Sequence, residues 1–558
     1  MSGPIPIKIA DPLKTAWWAT NDLGNAKRVE ALADGRLLWV DEMQRWVMYD
    51  GRRWAAEGGD LAAQRMAHRV IEHVQAEADA LSEILEEDVA GTLQLKTRVG
   101  AWCTREIAEK RVETLLAHAV KSGNAGMTAG MLKQARSLLA ASVEDFDLDP
   151  LAYNVANGTL RFFALPEVDP STSSGQASGR GWAVRLDAHE PTDRLMRIAD
   201  VAHDADARAP FWESRLAMLT PDAEQLAALR PLYGYTLTGL TSDQAFYVHQ
   251  GRGGDGKSVT HMGLAALHGD YYRHANIATF LQSSGQKSGA EHRSDLVRLR
   301  GDVRFVTSDE PPPKAVWDGS TIKQITGSFV TARGSNATTE VTFPPRFKAH
   351  IECNVTPRAP SDDKGFRRRM KLYQWKVSLD ELPEGAMPID QVLARIADER
   401  PGVLNWLIDG ALEWLTTRHI PQPAAMADVL ADFWADSSPL LEWMGEWCDT
   451  SDPAALTPFG ALYTHFKNWC EERGLETVMS KTLFGSKLRD RQFANFKDAA
   501  GNRWRRGIAL RSSGLFGGPS GNGVAPASPT PQRAGSFGAD AGQRADPPFD
   551  ADDLDDLP

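Results

Sequence analysis

The segment Gly251-Arg-Gly-Gly-Asp-Gly-Lys-Ser258 constrains this chain more than any other. It matches the spacing G-x-x-x-x-G-K-[ST], in which a glycine-rich turn curls so that backbone N–H groups point at phosphate oxygens. Its neighbours supply the context that this geometry needs. Ala245-Phe-Tyr-Val-His249 reads as a buried strand entering the turn, and residues 258–267 read as a helix leaving it. Gly251, Gly253, Gly254 and Gly256 give the backbone its freedom, with Asp255 set among them. The helix N-terminus adds positive potential, Lys257 reaches terminal phosphates, and the Ser258 hydroxyl is placed to ligate Mg²⁺. The competing reading, a glycine-rich turn carrying Lys-Ser by coincidence, does not account for the strand and helix flanks.

A site that hydrolyses ATP also needs carboxylates on a neighbouring strand. Val303-Arg-Phe-Val-Thr-Ser-Asp309-Glu310 is an apolar strand ending in two of them. Asp309 is assigned to Mg²⁺ and Glu310 to polarising the attacking water. Phe347-Lys-Ala-His-Ile-Glu-Cys-Asn354 reads as another strand, and Asn354 at its tip suits orienting that water or sensing the terminal phosphate. Asn before a turn such as Val355-Thr-Pro357 is also ordinary. Gly365-Phe-Arg367-Arg368-Arg369-Met370 adds a cationic cluster, either a solvated face or the source of an arginine finger for a neighbouring subunit. Arg368 and Arg369 are the candidates, and the sequence does not choose between them.

Length and composition set the frame. A chain of 558 residues with 42% apolar residues and 17 Trp has material for several folded cores. The net charge of −12 means that any nucleic-acid contact must come from local basic surfaces or from a channel formed on assembly. Cys103, Cys353, Cys448 and Cys470 are isolated, which argues against a zinc ribbon or a disulfide framework. No apolar run is long enough to span a bilayer, so the expectation is a cytoplasmic protein with no membrane partner.

The expected organisation is a multidomain α/β chain. Residues 1–60 read as an N-terminal leader of short aromatic-rich strands, 61–240 as a helical collar, and 241–420 as the ATPase core. Residues 437–511 read as a small basic module and 512–558 as a disordered acidic tail, with a further flexible excursion at 168–180. Asp147-Leu-Asp149 mimics a polymerase metal pair but falls in a segment of another character. Within the basic module the order helix, helix, hairpin is similar to a winged helix. Lys481, Lys487, Arg489 and Arg491 fall on or beside its candidate recognition helix, and Lys497, Arg503, Arg505 and Arg506 on its candidate wing. DNA binding is the favoured reading; a protein-binding winged helix with a solvated basic face is the other. The tail either recruits a replication partner or confers solubility.

The order of these elements resembles superfamily 3 helicases, in particular the phage/plasmid and poxvirus primase-helicase family. The likeness is carried by residues 251–258, by Leu299-Arg-Gly-Asp-Val-Arg-Phe-Val-Thr-Ser-Asp-Glu310, by Ile322-Lys323 to Gly327 with Arg333, and by residues 343–354 with Arg368-Arg369. Upstream, residues 145–158 are similar to the helical domain preceding the family's motor. The resemblance implies an AAA+-like P-loop core, ATP and Mg²⁺ as cofactors, and a homo-oligomeric, hexameric ring in a bacterial host cytoplasm. It implies single-stranded and forked DNA as partner, with Lys323 and Arg333 near a channel hairpin at 331–343 that grips DNA. Asp255 stands where the family commonly has Asn, the hairpin tip around Gly334-Ser-Asn336 lacks Lys, and there is no room for a primase domain, so a separate primase would cooperate. The implied activity is ATP-dependent replicative unwinding of phage or plasmid DNA. The rivals are a packaging or clamp-loader-like ATPase, and a nucleotide-binding initiator or origin-binding scaffold without motor activity.

Overall fold

The computed structural model describes residues 11–88, 95–96, 102–166, 181–282, 293–313, 315–335, 339–359, 363–381, 387–436, 439–473, 479–498 and 500–511. The expected excursion at 168–180, the hairpin tip at Asn336 and the acidic tail at 512–558 lie outside these residues.

Five parallel strands form the central sheet: β1 (Phe246–Gly251), β2 (Tyr272–Ala275), β3 (Phe305–Ser308), β4 (Lys348–Cys353) and β5 (Met370–Trp375). Their order is β2-β3-β4-β1-β5, so β4 lies between the strand feeding the glycine loop and the strand ending in the acidic pair. Both faces are covered, so most strand residues are buried, including polar ones such as His249, Lys348 and His350. Alternate residues enter different cores: Tyr247, Phe305, Tyr373 and Trp375 pack on one face, and Phe246, Val248, Val306 and Ile351 on the other.

The first face is covered by helices Pro210–Leu219, Ala223–Gly234, Lys257–His268, Ile389–Asp398 and Arg400–Thr417. The helix after the glycine loop buries Val259, Leu264 and Leu267 toward the sheet and stops at Gly269, whose φ of 53° favours glycine. A Cβ there would also meet the Ile198 carbonyl at 2.9 Å. The opposite face carries helix Gly319–Ile325 and the antiparallel hairpin Val330–Ala332/Val341–Phe343.

Two expectations need correction. The leader is not only strands and turns, because Asp22–Ala33 is a helix, capped by the Asn21 side chain and burying Ala26, Val29 and Leu32 at helical spacing. Nor is 61–240 helical throughout. Helices Gly59–Glu87, Arg105–Ser122 and Ala125–Leu138 give way to an antiparallel sheet of Ala152–Val155, Gly158–Ala164 and Trp182–Asp187. Tyr153, Val155, Leu160 and Phe162 supply the alternating buried residues of a strand pair, and they join the same apolar cluster as the central sheet. The core therefore runs across the expected boundary at 240.

The C-terminal module follows the expected order. Helices Phe459–Glu472 and Lys481–Asp490 precede a hairpin, Asn495–Lys497 with Arg503–Arg506, and Leu456–Pro458 completes a three-stranded sheet. Trp443, Leu462, Phe466, Phe484 and Leu488 form its separate core.

Candidate functional site

The glycine loop joins β1 to the N-terminus of helix Lys257–His268. Gly253, Gly254 and Gly256 have φ of 89°, 61° and 78°, a conformation that L side chains rarely adopt. Inside the turn lies the Asp255 carboxylate, which accepts from the Gly253 amide at 3.3 Å and the Lys257 amide at 3.2 Å. Gly251 must be glycine for this to happen, since a Cβ there would sit 1.6 Å from Asp255 Oδ2. The Lys257 ammonium, 6% exposed, donates to Asp255 at 2.9 Å and to Asn354 Oδ1 at 3.1 Å.

From Asn354 the chain of contacts continues to the acidic pair. The Asn354 side-chain amide donates to Glu310 Oε2 at 2.9 Å and its backbone N–H to Oε1 at 3.1 Å. The tips of β1, β4 and β3 thus bring Lys257, Asn354 and Glu310 into one connected array. Asp309 is exposed beside it and bonds His274 Nε2 at 3.0 Å, a residue at the tip of β2. These groups line one cleft of about 860 Å³.

Ser258 donates its hydroxyl to Glu352, whose other oxygen bonds His261 Nδ1 at 2.7 Å. The Tyr233 hydroxyl completes the far side of that ring at 2.9 Å from Nε2. Burial pulls the Glu352 carboxyl upward, but the hydrogen bonds from His261 and Ser258 and the Lys257 charge more than offset this, and the group stays below the usual carboxylate range. The oxygen donors suit a hard divalent cation: Ser258, Asp309 and Glu310 face the same cleft as the Lys257 amine.

Beneath this layer His249, His261 and His350 offer nitrogens within 4.8 Å of one another. Two of the three rings are linked directly, His249 Nε2 to His350 Nδ1 at 3.0 Å, while Trp375 donates to His249 Nδ1 at 3.2 Å. Burial, then the neighbouring imidazoles, push His249 and His350 well below the usual histidine range, so they are neutral packing groups.

Sequence reasoning missed Glu352, His274 and Arg215, all of which line this cleft. Glu352 had a readable signal, because residues 350, 352 and 354 share a face of one strand by period-two alternation. His274 and Arg215 are brought in from separate segments, and no local motif marks them.

The residues expected at DNA are more scattered. Lys323 is ion-paired with Asp363, and the Arg333 carbonyl accepts from the Arg293 amide. Arg369 donates to Thr326 Oγ1 at 2.9 Å and to the Gly365 carbonyl at 2.7 Å, whereas Arg368 is exposed. On the C-terminal module Lys481, Arg489, Lys497, Arg503 and Arg506 are exposed, and Lys487 and Arg491 are half-buried. Arg505 departs from its expected role. It is 3% exposed, and its guanidinium donates inward to the carbonyls of Gly485 and Phe493, so it braces the hairpin against the helix instead of facing DNA.

Known families match both flanks of this site. The family described as D5 N terminal like matches residues 26–221, and the family described as Poxvirus D5 protein-like matches residues 427–503. Over these two regions the chain is similar to D5-like proteins. The glycine loop lies between the two matched regions. Among curated proteins that it resembles, a putative helicase L207/L206 of Acanthamoeba polyphaga mimivirus is 25% identical over 243 residues, 40% of this chain and 25% of that protein. A putative helicase 022R of Frog virus 3 (isolate Goorha) is 23% identical over 248 residues, 42% of this chain and 25% of that protein. The aligned part therefore spans about a quarter of the curated relatives. The apo C-terminal region of NrS-1 (305-718) is similar at a TM-score of 0.39 and 10% identity, covering 89% of this chain and 100% of that one. No helix among the described residues is long and apolar enough to cross a membrane.

Proposed function

We propose that this chain is an ATP-driven DNA helicase of the superfamily 3 type, serving phage or plasmid replication. The observation that carries the reading is the hydrogen-bonded array Lys257–Asn354–Glu310 across three parallel strand tips, beside a glycine loop with its amides turned inward. Such an array positions a cation for phosphate oxygens, an amide for the attacking water and a carboxylate to polarise it. The core is read as an AAA+-like P-loop fold.

In this reading the glycine-loop amides and Lys257 hold the β- and γ-phosphates of ATP once Lys257 leaves Asp255. Ser258, once released from Glu352, and Asp309 would hold Mg²⁺, which would supply positive charge to the phosphates. Glu310 accepts hydrogen bonding from the attacking water, and Asn354, linked to both Lys257 and Glu310, keeps the two in register. The exposed Arg368 supplies the finger to a neighbouring subunit of a hexameric ring, with Arg369 as its internally tied neighbour. Lys323 precedes and Arg333 lies within the hairpin that moves DNA, and the C-terminal module is a winged helix holding DNA through its exposed cations.

The test is ATP hydrolysis by wild type and Lys257→Ala, with and without single-stranded DNA, followed by fork unwinding. DNA-stimulated turnover and unwinding, both lost in the variant, are expected. A folded, DNA-binding wild type with no turnover would leave the initiator-scaffold reading in its place.

A further inference from the structure

The chain shows how it treats an arginine that is buried for structural reasons. Arg28 is sealed and matched by Glu77, through Nε at 2.8 Å and a terminal nitrogen at 2.6 Å. Arg304 is sealed and matched by Asp302 at 2.7 Å through two nitrogens, with the Ala152 carbonyl taking a third bond. Both of these forks are filled, and even Arg505, whose Nε is sealed without a partner, donates its terminal nitrogens to two carbonyls.

Arg215 breaks this pattern. It is only 8% exposed, yet among the described residues its guanidinium has no hydrogen-bond or ion-pair partner, and its Nε is sealed from solvent with nothing to donate to. Burial lowers its proton affinity and no carboxylate restores it. Its position is specific. Helix Pro210–Leu219 presses on the glycine loop so closely that a Cβ on Gly256 would lie 2.8 Å from Leu219 and 3.2 Å from an Arg215 terminal nitrogen. Arg215 lines the same cleft as Lys257 and Ser258.

We infer that Arg215 is a phosphate-binding residue, its guanidinium pairing with non-bridging oxygens of a nucleotide's phosphate chain beside Gly256. This rests on the nucleotide reading above and adds a contact from outside the glycine-loop motif. The logic is one of complementarity. A planar fork with no internal acceptor, held in a desolvated wall beside inward-turned amides, fits a dianionic or trianionic oxygen cluster better than water or a single carbonyl. The contact comes from the same subunit and from a helix before the central sheet.

The experiment uses the full chain and measures binding of ATP and of inorganic tripolyphosphate by calorimetry, in EDTA and in Mg²⁺, for wild type, Arg215→Met and Arg215→Lys. Thermal unfolding without ligand is recorded alongside. Arg215→Met keeps the volume and removes the charge, so it is expected to weaken tripolyphosphate binding by about 10- to 100-fold. Its ligand-free melting temperature should be unchanged or higher, because an unmatched buried charge is gone. Arg215→Lys should retain part of the affinity, as a point charge without the fork. Wild-type affinity in Arg215→Met, or a lowered ligand-free melting temperature with intact binding, would overturn the inference and make Arg215 structural. Should Arg215→Met fail to fold, the Lys variant decides the matter: affinity equal to wild type would count against a fork-specific contact. A wild type that binds neither ATP nor tripolyphosphate would overturn the nucleotide reading as well, an outcome distinct from wild type and variant binding alike.

Discussion

The cleft at the end of the central sheet and the surface of the C-terminal module hold charges in opposite ways. In the cleft, Asp255, Lys257, Asn354 and Glu310 touch one another in that order, and each position is fixed by a strand tip or a turn. On the module Lys481, Arg489, Lys497, Arg503 and Arg506 stand exposed on a helix and a hairpin. The difference teaches what each surface can recognise. A converging array fits one compact ligand in one geometry, and removing a single member disables it. A dispersed set fits a repeating polyanion, and each cation contributes a similar increment that salt screens.

The sharpest way to break the comparison is Glu310→Gln. If the array acts as a unit, ATP turnover should fall by roughly 10²- to 10⁴-fold while ATP binding persists, which single-turnover kinetics and calorimetry separate. Neutralising Arg489 should leave turnover in the absence of DNA unaltered. Next in size, Arg505→Met should destabilise the module by about 1–3 kcal/mol, because the carbonyls of Gly485 and Phe493 lose their buried donor. Urea unfolding followed through the module's tryptophans would read this; a DNA-binding loss without any stability loss would return Arg505 to the recognition surface.

A smaller effect is expected at Glu352. Two oxygens accept from two donors, Ser258 and His261, and a Gln in its place offers one acceptor and one amide donor. Glu352→Gln should raise the Mg²⁺ concentration needed for half-maximal nucleotide binding by about 10-fold, in line with lost outer-shell support. In a Ser258→Ala background the same change should have little further effect. The smallest effects separate the two regions most finely. Asp255→Asn should tighten Mg²⁺-free ATP binding a few-fold by removing an anion from Lys257. Arg489→Ala should reduce the salt dependence of DNA binding by about one unit of slope.

What was legible in the sequence follows from how far apart the contributing residues lie. The glycine loop, the Asp309-Glu310 tip and Asn354 each announce themselves within a few residues, because a strand ending in a polar group is a local pattern. Glu352 lies two residues before Asn354 in the same strand, but only the Asn at the tip marks itself as functional. Its pairing with Ser258 depends on which strand neighbours which, and β4 reaches that place only through a crossover order that periodicity does not specify. The strand pair at 152–164 lies in a stretch of mixed pattern between helical segments, and it is hard to read for a related reason. Its alternating residues are aromatic and aliphatic, and they are read as strand only once a partner surface is known. Arg505 shows the remaining limit, since an Arg-Arg dipeptide on a hairpin puts one side chain outward and the next inward.

The close seating of helix Pro210–Leu219 on Gly256 bears on how the molecule can be cut. Trp212, Leu216, Leu229 and Tyr233 belong to the same apolar core as Tyr247, Val403 and Trp414. A fragment starting at residue 241 would leave that core open along one side, and the cleft would lose Arg215 and the ledge formed by Leu219. The smallest piece able to stand alone would have to begin before the strand Ala152–Val155, so proteolysis of the folded chain should spare the peptide bonds near 240 and leave a resistant fragment that carries both the helices and the loop.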